Sequence, residues 1–246
     1  MYVPANKRLG DTIIGVNNAI HLAKKLGKKL KFSLKPTLNV RDQHVLMGKK
    51  WASKWAGISN LAAHTQSGYN SLELRKQRLE AALYLFRHEE YLEVCDHTRI
   101  TEWIDLPKYP VGSFLDNSRN TVGETCYDFC YDFVGTGRRF SPKESTRLIG
   151  FSSRLRTVDC HRLGLDIGLI PAINEMSKCL NFVGSCSGMA HVAYALGLRV
   201  HMILVNVSKE SIEEWHRHQK YVLYDDVDDF IKRYEGETSS SLHHFQ

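Results

Sequence analysis

The stretch Phe182-Val-Gly-Ser-Cys-Ser-Gly-Met-Ala-His-Val-Ala-Tyr-Ala-Leu-Gly197 decides the fold of this chain. The apolar residues 179–183 predict a strand, and the small residues after it predict a tight loop. An amphipathic helix is expected over 189–196, with Gly197 ending it, and a second strand over 199–205. This order of strand, helix and strand is typical of a parallel sheet in an α/β protein.

The loop between the strand and the helix has the composition of an anion-binding site. Gly184 and Gly188 allow a ligand to approach the backbone closely, and Ser185 and Ser187 add hydroxyl donors. The first N–H groups of a helix lack intrahelical partners and carry the positive end of its dipole, which favours a phosphate there. Many α/β proteins contain such a turn without a ligand, so for the loop alone a structural role is the simpler interpretation.

Length, composition and charge indicate a globular protein with a basic first half. Of the 246 residues, 43% are hydrophobic and 24% are charged, which is ordinary for a globular chain. Residues 1–115 carry 18 Lys and Arg against 10 Asp and Glu, a balance of +8, whereas residues 116–246 carry 15 against 17, a balance of −2. This asymmetry favours a first half that meets an anion, although a solvated surface without a partner gives the same pattern.

The sequence predicts a cytoplasmic protein without a transmembrane segment. No apolar run approaches the roughly 18 residues of a membrane span, and the first residues reach charged side chains too soon for a secretory signal. The six cysteines match neither a disulfide framework nor paired zinc knuckles, so reduced thiols are expected. Candidate metal ligands are poorly spaced, and we predict no metal and no cofactor.

The chain is predicted to form two βαβ-type lobes. The first opens with a strand over 2–4, a helix over 12–26 ending at Gly27, and a strand over 29–34. The polar, turn-forming segment 116–124 is the best candidate for a linker. Further helices are expected over 72–91, 169–178, 211–218 and 227–234, and a further strand over 126–134. The predicted divisions are an N-terminal lobe over 1–118, a C-terminal lobe over 119–234 and a flexible polar tail over 235–246.

Two separated motifs, Arg8-Leu-Gly10-Asp11 and the stretch from Val183 to Gly197, stand in the same order as two motifs of a known family. They resemble those of the heptosyltransferases, GT-B glycosyltransferases that add sugars to lipopolysaccharide. That family has an R-x-G-D loop before a helix and, later, a strand followed by V-G-x-D-S-G-x-x-H-x-A-x-A-x-G. Every fixed position of the second motif is matched but one, because Cys186 stands where the family has Asp. Residues 36–120 carry no motif of the family.

The resemblance implies a GT-B fold, in which two Rossmann-like lobes face each other across a cleft. The N-terminal lobe would bind the acceptor and the C-terminal lobe a nucleoside-diphosphate sugar, in an inverting and metal-independent transfer. Such a reaction needs a carboxylate that takes the proton of the acceptor hydroxyl, and Asp11 is the candidate base. An Asp just before a helix equally suits an N-cap. Gly10 would permit a tight loop beside it. Arg8, in the N-terminal lobe, would help to neutralise the departing diphosphate.

The resemblance also assigns a donor site. The backbone N–H groups after Ser187, rather than the side chain of Cys186, would hold the diphosphate, because a thiol cannot repeat the hydrogen bonds of a carboxylate. Arg138 and Arg139 match a basic position that contacts donor phosphates in the family, and an exposed arginine pair explains them as well. His191 falls near this site, although a lone helical histidine is more often a packing residue. The candidate donor set is Arg138, Arg139, Ser185, Cys186, Ser187, Gly188, Met189 and His191.

The acceptor is expected on the basic N-terminal lobe. The segment Lys49-Lys50-Trp51-Ala-Ser-Lys54-Trp55 interleaves lysines with indoles, which suits DNA with an unstacked base and also a phosphorylated glycan. An exposed helix whose tryptophans face the core is the simpler alternative. A hydroxymethylated base in DNA is slightly favoured over lipopolysaccharide core, because the sequence contains no amphipathic helix suited to membrane docking. The candidate acceptor set is Arg8, Gly10, Lys49, Lys50, Trp51, Lys54 and Trp55.

A further hypothesis belongs to another class of protein. Cys186 and the short segment 142–169 are compatible with a non-catalytic nucleotide-sugar or nucleic-acid binding protein on a degenerate GT-B fold. The sequence therefore predicts an α/β protein with three functional hypotheses: transfer to DNA, transfer to a surface glycan, and binding without transfer.

Overall fold

The chain divides into two compact α/β units, Met1–Val111 and Gly112–Gln246. The structure is a computed structural model that describes residues 9–33, 72–95, 109–113, 127–131, 143, 146, 160–162, 168–204 and 207–242. Both units contain parallel strands and helices, so the predicted α/β class is confirmed. The sequence placed the division between residues 118 and 119, in a segment outside the described residues. The predicted strand over 2–4 also lies outside them.

The first unit pairs two parallel strands and packs two helices together. Its elements are α1 (Leu9–Leu26), β1 (Leu30–Ser33), α2 (Leu72–Leu85) and β2 (Leu92–Cys95). Strand β1 pairs with β2 in parallel, with Leu30 opposite Leu92. Helix α1 buries an apolar face against α2, and the fully buried side chains include Ile13, Ala19 and Ile20 on α1.

Helix α1 begins at Leu9 rather than at residue 12, which corrects the predicted loop before it. Gly10 is helical and buried, and Asp11 lies in the first turn instead of preceding the helix. A first turn tolerates these residues because its N–H groups need no intrahelical partners and its dipole favours a carboxylate. Gly27 does end the helix as predicted: its φ is +60°, and the N–H of Lys28 donates to the carbonyl of Ala23 at 3.1 Å.

The helix predicted over 72–91 ends earlier, at Leu85, and a strand follows it. A turn closes the helix, with the N–H of Glu89 donating to the carbonyl of Phe86 at 2.9 Å. Strand β2 then takes residues 92–95, which lie beyond the predicted helix, and its backbone groups pair with those of β1. The end of the unit is tied to α1 through Asn18, whose side chain donates to the carbonyl of Tyr109 at 2.9 Å and accepts from the N–H of Val111 at 3.0 Å.

The second unit contains a parallel sheet of five described strands. They are β3 (Tyr127–Tyr131), β4 (Cys160–Arg162), β5 (Cys179–Ser185), β6 (Arg199–Ile203) and β7 (Tyr221–Tyr224). The described helices of this unit that lie between or after them are α3 (Leu169–Met176), α4 (Gly188–Ala195), α5 (Lys209–Trp215) and α6 (Val227–Leu242). The spatial order is β4-β3-β5-β6-β7, and every neighbouring pair is parallel.

This strand order contains a switch point. From β3 the chain moves outward to β4, and it then returns past β3 to β5 and continues in the other direction. In open parallel sheets, ligands bind outside the carboxyl ends of the strands where the order reverses. The carboxyl end of β5 is Ser185, so the loop that follows β5 lies at this position of the sheet.

The C-terminal helix corrects the predicted tail. Helix α6 continues to Leu242, whereas the sequence predicted that the helix ends at residue 234 and that a flexible tail begins at 235. Asp226 caps it, because its Oδ1 accepts from the N–H groups of Asp228 at 2.7 Å and Asp229 at 2.8 Å. No proline interrupts residues 235–242, and the buried Phe230 anchors the preceding turns. No helix within the described parts of the chain is long and apolar enough to cross a membrane.

Candidate functional site

The candidate site is the β5–α4 junction, which we define as Ser185, Cys186, Ser187 and Gly188. Strand β5 ends at Ser185 and α4 begins at Gly188, so only two residues connect them. Ser187 is the N-cap residue, with an extended backbone at φ −144° and ψ 171°, and its carbonyl accepts from the N–H of Ala190 at 3.2 Å. The predicted order of strand, tight loop and helix is confirmed, but the strand continues to Ser185 instead of ending at residue 183, which leaves only Cys186 and Ser187 as the loop.

Gly184 has a packing role that the sequence did not indicate. A Cβ at this position would lie 2.8 Å from Cζ of the Phe182 ring, which is fully buried. Any side chain here would therefore displace the ring. The sequence assigned this glycine to close approach of a phosphate, and the structure gives it a second reason in the packing beneath the junction.

Helix α4 is buried along most of its length and ends in a glycine cap. Its residues from Met189 to Ala195 are all buried. At its C-terminus Gly197 adopts φ +76°, and the N–H of Leu198 donates to the carbonyl of Ala193 at 3.0 Å, which is the Schellman arrangement that the glycine predicted. The C-cap that the sequence predicted at Gly197 is therefore confirmed.

The two serine hydroxyls of the junction, those of Ser185 and Ser187, are buried and lack hydrogen-bond partners among the described residues. An N-cap serine ordinarily accepts from an N–H of the first turn, yet Ser187 makes no such side-chain bond. A buried hydroxyl without a partner costs about 1–3 kcal/mol. Two such groups beside a helix N-terminus are suited to a ligand that carries several hydrogen-bond acceptors.

Cys186 is held by a histidine from a different element. Its Sγ lies 3.1 Å from Nε2 of His216, and both side chains are buried. His216 is the C-cap residue of α5, and its own N–H donates to the carbonyl of Ile212 at 2.8 Å. The contact of His216 with Cys186 was missed, because no spacing pattern connects residues 30 positions apart.

His216 also lies against helix α4 through its ring. The rings of His216 and His191 stack with centroids 4.6 Å apart and planes 4° apart. Burial lowers the pKa of His216 from 6.5 to about 4. Burial and the neighbouring His216 lower the pKa of His191 well below its ordinary value. Both imidazoles are therefore neutral at pH 7, and the stack carries no charge repulsion.

Two tyrosines complete the surroundings of this stack. Tyr194 presents its ring edge to His216 at 5.5 Å between centroids, and Tyr221 does the same at 6.0 Å. Burial raises the pKa of Tyr194 far above its ordinary value, with smaller contributions from Tyr221 and Cys186. The cluster is neutral at physiological pH, and it connects α4, the end of α5 and β7.

The other predicted site residues fall into two groups. Within the described residues, Asp11 is half-buried in the first turn of α1, so it is not the N-cap residue, and Gly10 is buried beside it. Met189 is buried at the start of α4. The predicted residues that lie outside the described part of the chain are Arg8, Lys49, Lys50, Trp51, Lys54, Trp55, Arg138 and Arg139.

Metal ligation and similarity to known proteins add no further assignment. Among the described residues, no group of three or more His, Cys, Asp or Glu side chains could hold a metal ion. No protein-family model, no curated protein and no solved structure matches this chain. The sequence motifs and the geometry of the β5–α4 junction are therefore the basis for a functional proposal.

Proposed function

We propose that this protein is an inverting glycosyltransferase with a GT-B fold. It moves a sugar from a nucleoside-diphosphate sugar to a hydroxyl of a polyanionic acceptor. The observation that carries the proposal is the β5–α4 junction, where two buried serine hydroxyls without described partners lie at the N-terminus of α4. Its position at the switch point of the parallel sheet supports a ligand site there.

The donor diphosphate would bind through the backbone N–H groups after Ser187 and through the two serine hydroxyls. The dipole of α4 favours the negative charge that develops on the diphosphate as the sugar leaves. Arg138 and Arg139 would add positive charge to the same leaving group. No metal is required in this scheme, because fixed dipoles and guanidinium groups neutralise the diphosphate.

The general base would be Asp11. Its carboxylate takes the proton of the acceptor hydroxyl while that oxygen attacks the anomeric carbon. The new glycosidic bond forms as the bond between the anomeric carbon and the diphosphate oxygen breaks, and the nucleoside diphosphate departs. The half-buried position of Asp11 in a helix first turn is compatible with this role, and the resemblance to the heptosyltransferases supplies the assignment.

The acceptor we favour is a hydroxymethylated base in DNA. The first half of the chain carries the +8 balance, and the C-terminal end of α1 exposes Lys24, Lys25, Lys28 and Lys29. Exposed lysines bind a phosphate backbone by releasing its counterions. Lys24 also forms an ion pair with Glu89 at 3.1 Å, which leaves the others as the stronger candidates for an acceptor. Lipopolysaccharide core is the alternative polyanion.

Mass spectrometry after incubation with nucleotide sugars tests the proposal. Hydroxymethylated DNA and lipopolysaccharide core would each be incubated with UDP-, ADP- and GDP-linked sugars. We expect a mass increment of one sugar on the DNA. An increment on lipopolysaccharide alone would transfer the acceptor assignment to the glycan. Salt-sensitive binding of DNA with no increment from any donor would instead support a non-catalytic binding protein.

Replacement of the proposed base tests the mechanism. Asp11→Asn should lower the transfer rate by about 100-fold or more, because the amide cannot accept the proton. Asp228→Asn is the matched control, since Asp228 is also an acidic residue in a helix first turn. The control should retain the wild-type rate. Equal rates for Asp11→Asn and the wild type would show that Asp11 is not the base.

A further inference from the structure

His216 contacts the β5–α4 junction from outside the sequence motif that forms it. The junction residues are consecutive, whereas His216 lies at the end of α5, after strand β6. Its Nε2 lies 3.1 Å from Sγ of Cys186. Cys186 is the first of the two residues that connect β5 to α4, and Ser187 is the second. A group that fixes Cys186 therefore acts directly on the backbone of the junction.

The imidazole of His216 is itself fixed on several sides. It is 1% exposed, it stacks on His191 at 4.6 Å, and it meets the ring edges of Tyr194 and Tyr221. Its backbone N–H closes the last turn of α5. A side chain held by this many contacts has little rotational freedom. It can therefore impose one position on the more weakly bonding thiol of Cys186.

We infer that His216 is a positioning residue for the β5–α4 junction, acting through the thiol of Cys186. The inference rests on the proposed function in one respect: the conformation that His216 stabilises is the one that receives the donor diphosphate. A carboxylate at position 186 could bond to the backbone and to a ligand by itself. A thiol is a weaker donor and acceptor, so the second group that fixes it comes from another element.

The hydrogen bond and the ring stacking of His216 can be separated by two substitutions. His216→Phe keeps an aromatic ring against His191 and removes the nitrogen that reaches Cys186. His216→Gln keeps a polar nitrogen or oxygen near the position of Nε2 and removes the ring. His201→Gln is the matched control, because His201 is another buried histidine of the same unit, bonded to Tyr224 at 2.7 Å rather than to the junction.

Two measurements on the full chain report on the junction independently. The first is the dissociation constant for UDP, ADP and GDP, determined by titration calorimetry. The second is amide hydrogen exchange of a peptide spanning 184–190, without any nucleotide. We expect His216→Phe to weaken nucleotide binding by about tenfold or more and to speed exchange in this peptide. His216→Gln should come closer to the wild type in both, and His201→Gln should equal the wild type in both.

Double substitution tests whether the effect passes through Cys186. Cys186→Ala combined with His216→Phe should weaken nucleotide binding no more than either change alone, because both remove the same contact. Additive effects would overturn action through the thiol. Unchanged binding and unchanged exchange in His216→Phe, or equal effects from His201→Gln, would overturn the inference as a whole.

The same data distinguish this inference from the proposed function. If the wild type binds none of the three diphosphates while His216→Phe still speeds exchange over 184–190, the positioning role stands and the donor site is wrong. If the wild type binds a diphosphate and His216→Phe binds it equally well with unchanged exchange, the donor site stands and the positioning role is wrong.

Discussion

Two buried histidines of the second unit differ in what surrounds them. Both nitrogens of His201, on β6, have partners: Nδ1 lies 2.7 Å from the hydroxyl of Tyr224, and Nε2 lies 3.4 Å from Oδ1 of Asn181. His216 meets Cys186 through Nε2, and its Nδ1 has no hydrogen-bond partner among the described residues. The hydroxyl oxygens of Ser185 and Ser187 are likewise buried without a hydrogen-bond partner among the described residues.

This difference separates a structural polar group from a polar group at a candidate site. Folding ordinarily pairs buried polar atoms, because each one left without a partner costs stability. The His201 region follows this rule within the protein itself. The β5–α4 junction does not, and its buried atoms are grouped at a helix N-terminus, where a phosphate is favoured. This contrast is the physical reason why the proposed ligand site lies at the end of β5 rather than near His201.

Acidification should have the largest effect on stability. It tests whether hydrogen-bond partners, rather than burial, set the charge states of His201 and His216. The pKa of each is lowered from 6.5 to about 4, that of His216 by burial and that of His201 by burial with Arg199 and Arg233. Between pH 6.5 and about 4, these two histidines bind protons in the unfolded chain but stay neutral in the folded chain. The free energy of unfolding should thus fall by about 1.4 kcal/mol per pH unit for each histidine, until the pH reaches about 4.

Urea denaturation between pH 7.5 and 5 measures this loss. His201→Gln and His216→Gln should each reduce the slope of the free energy of unfolding against pH by the contribution of one histidine. Equal shares would show that burial dominates in both regions despite their different partners. If neither substitution reduced the slope, the charge states assigned to the two histidines would be wrong.

Removal of His201 should have the next largest effect. His201→Ala deletes a fully buried side chain and leaves the hydroxyl of Tyr224 without its 2.7 Å partner. We expect the free energy of unfolding at pH 7.5 to fall by about 2–4 kcal/mol, with no change in nucleotide affinity. Tyr224→Phe is the milder comparison, because it removes the same bond without a cavity. A loss of nucleotide binding in the folded His201→Ala protein would break the contrast between the two regions.

Removal of the Ser185 hydroxyl should have the smallest effect on stability. Unlike removal of His201, it should weaken nucleotide binding. Its Oγ has no described partner, so Ser185→Ala should change the free energy of unfolding by less than about 1 kcal/mol, or raise it slightly. The affinity for UDP, ADP or GDP should nevertheless fall, because a hydroxyl donor to the diphosphate is lost. Thermal denaturation measures the change in stability, and titration calorimetry on the same protein measures the change in nucleotide affinity. A clear loss of stability would mean that the hydroxyl serves the fold rather than a ligand.

Local patterns predicted most of the elements around the site and failed where tertiary pairing decides. Strand β5, helix α4 and the C-caps at Gly27 and Gly197 follow from apolar periodicity and from glycine's access to positive φ. The helix predicted over 72–91 ends at Leu85 instead, and strand β2 was not predicted, because nothing local in 92–95 shows that β1 lies beside them. The predicted tail was wrong as well, since polar composition alone does not distinguish an exposed helix from an irregular segment.

By itself, the sequence determined the α/β class, the strand, loop and helix of the β5–α4 junction, and the serines and glycines within it. Each of these depends on residues close together in the chain, where propensity and periodicity act. Only the tertiary structure decided that Gly184 makes room for Phe182, that the loop lies at the switch point, and that His216 meets Cys186. Strand order and packing between distant segments create these contacts, and a linear pattern does not contain them.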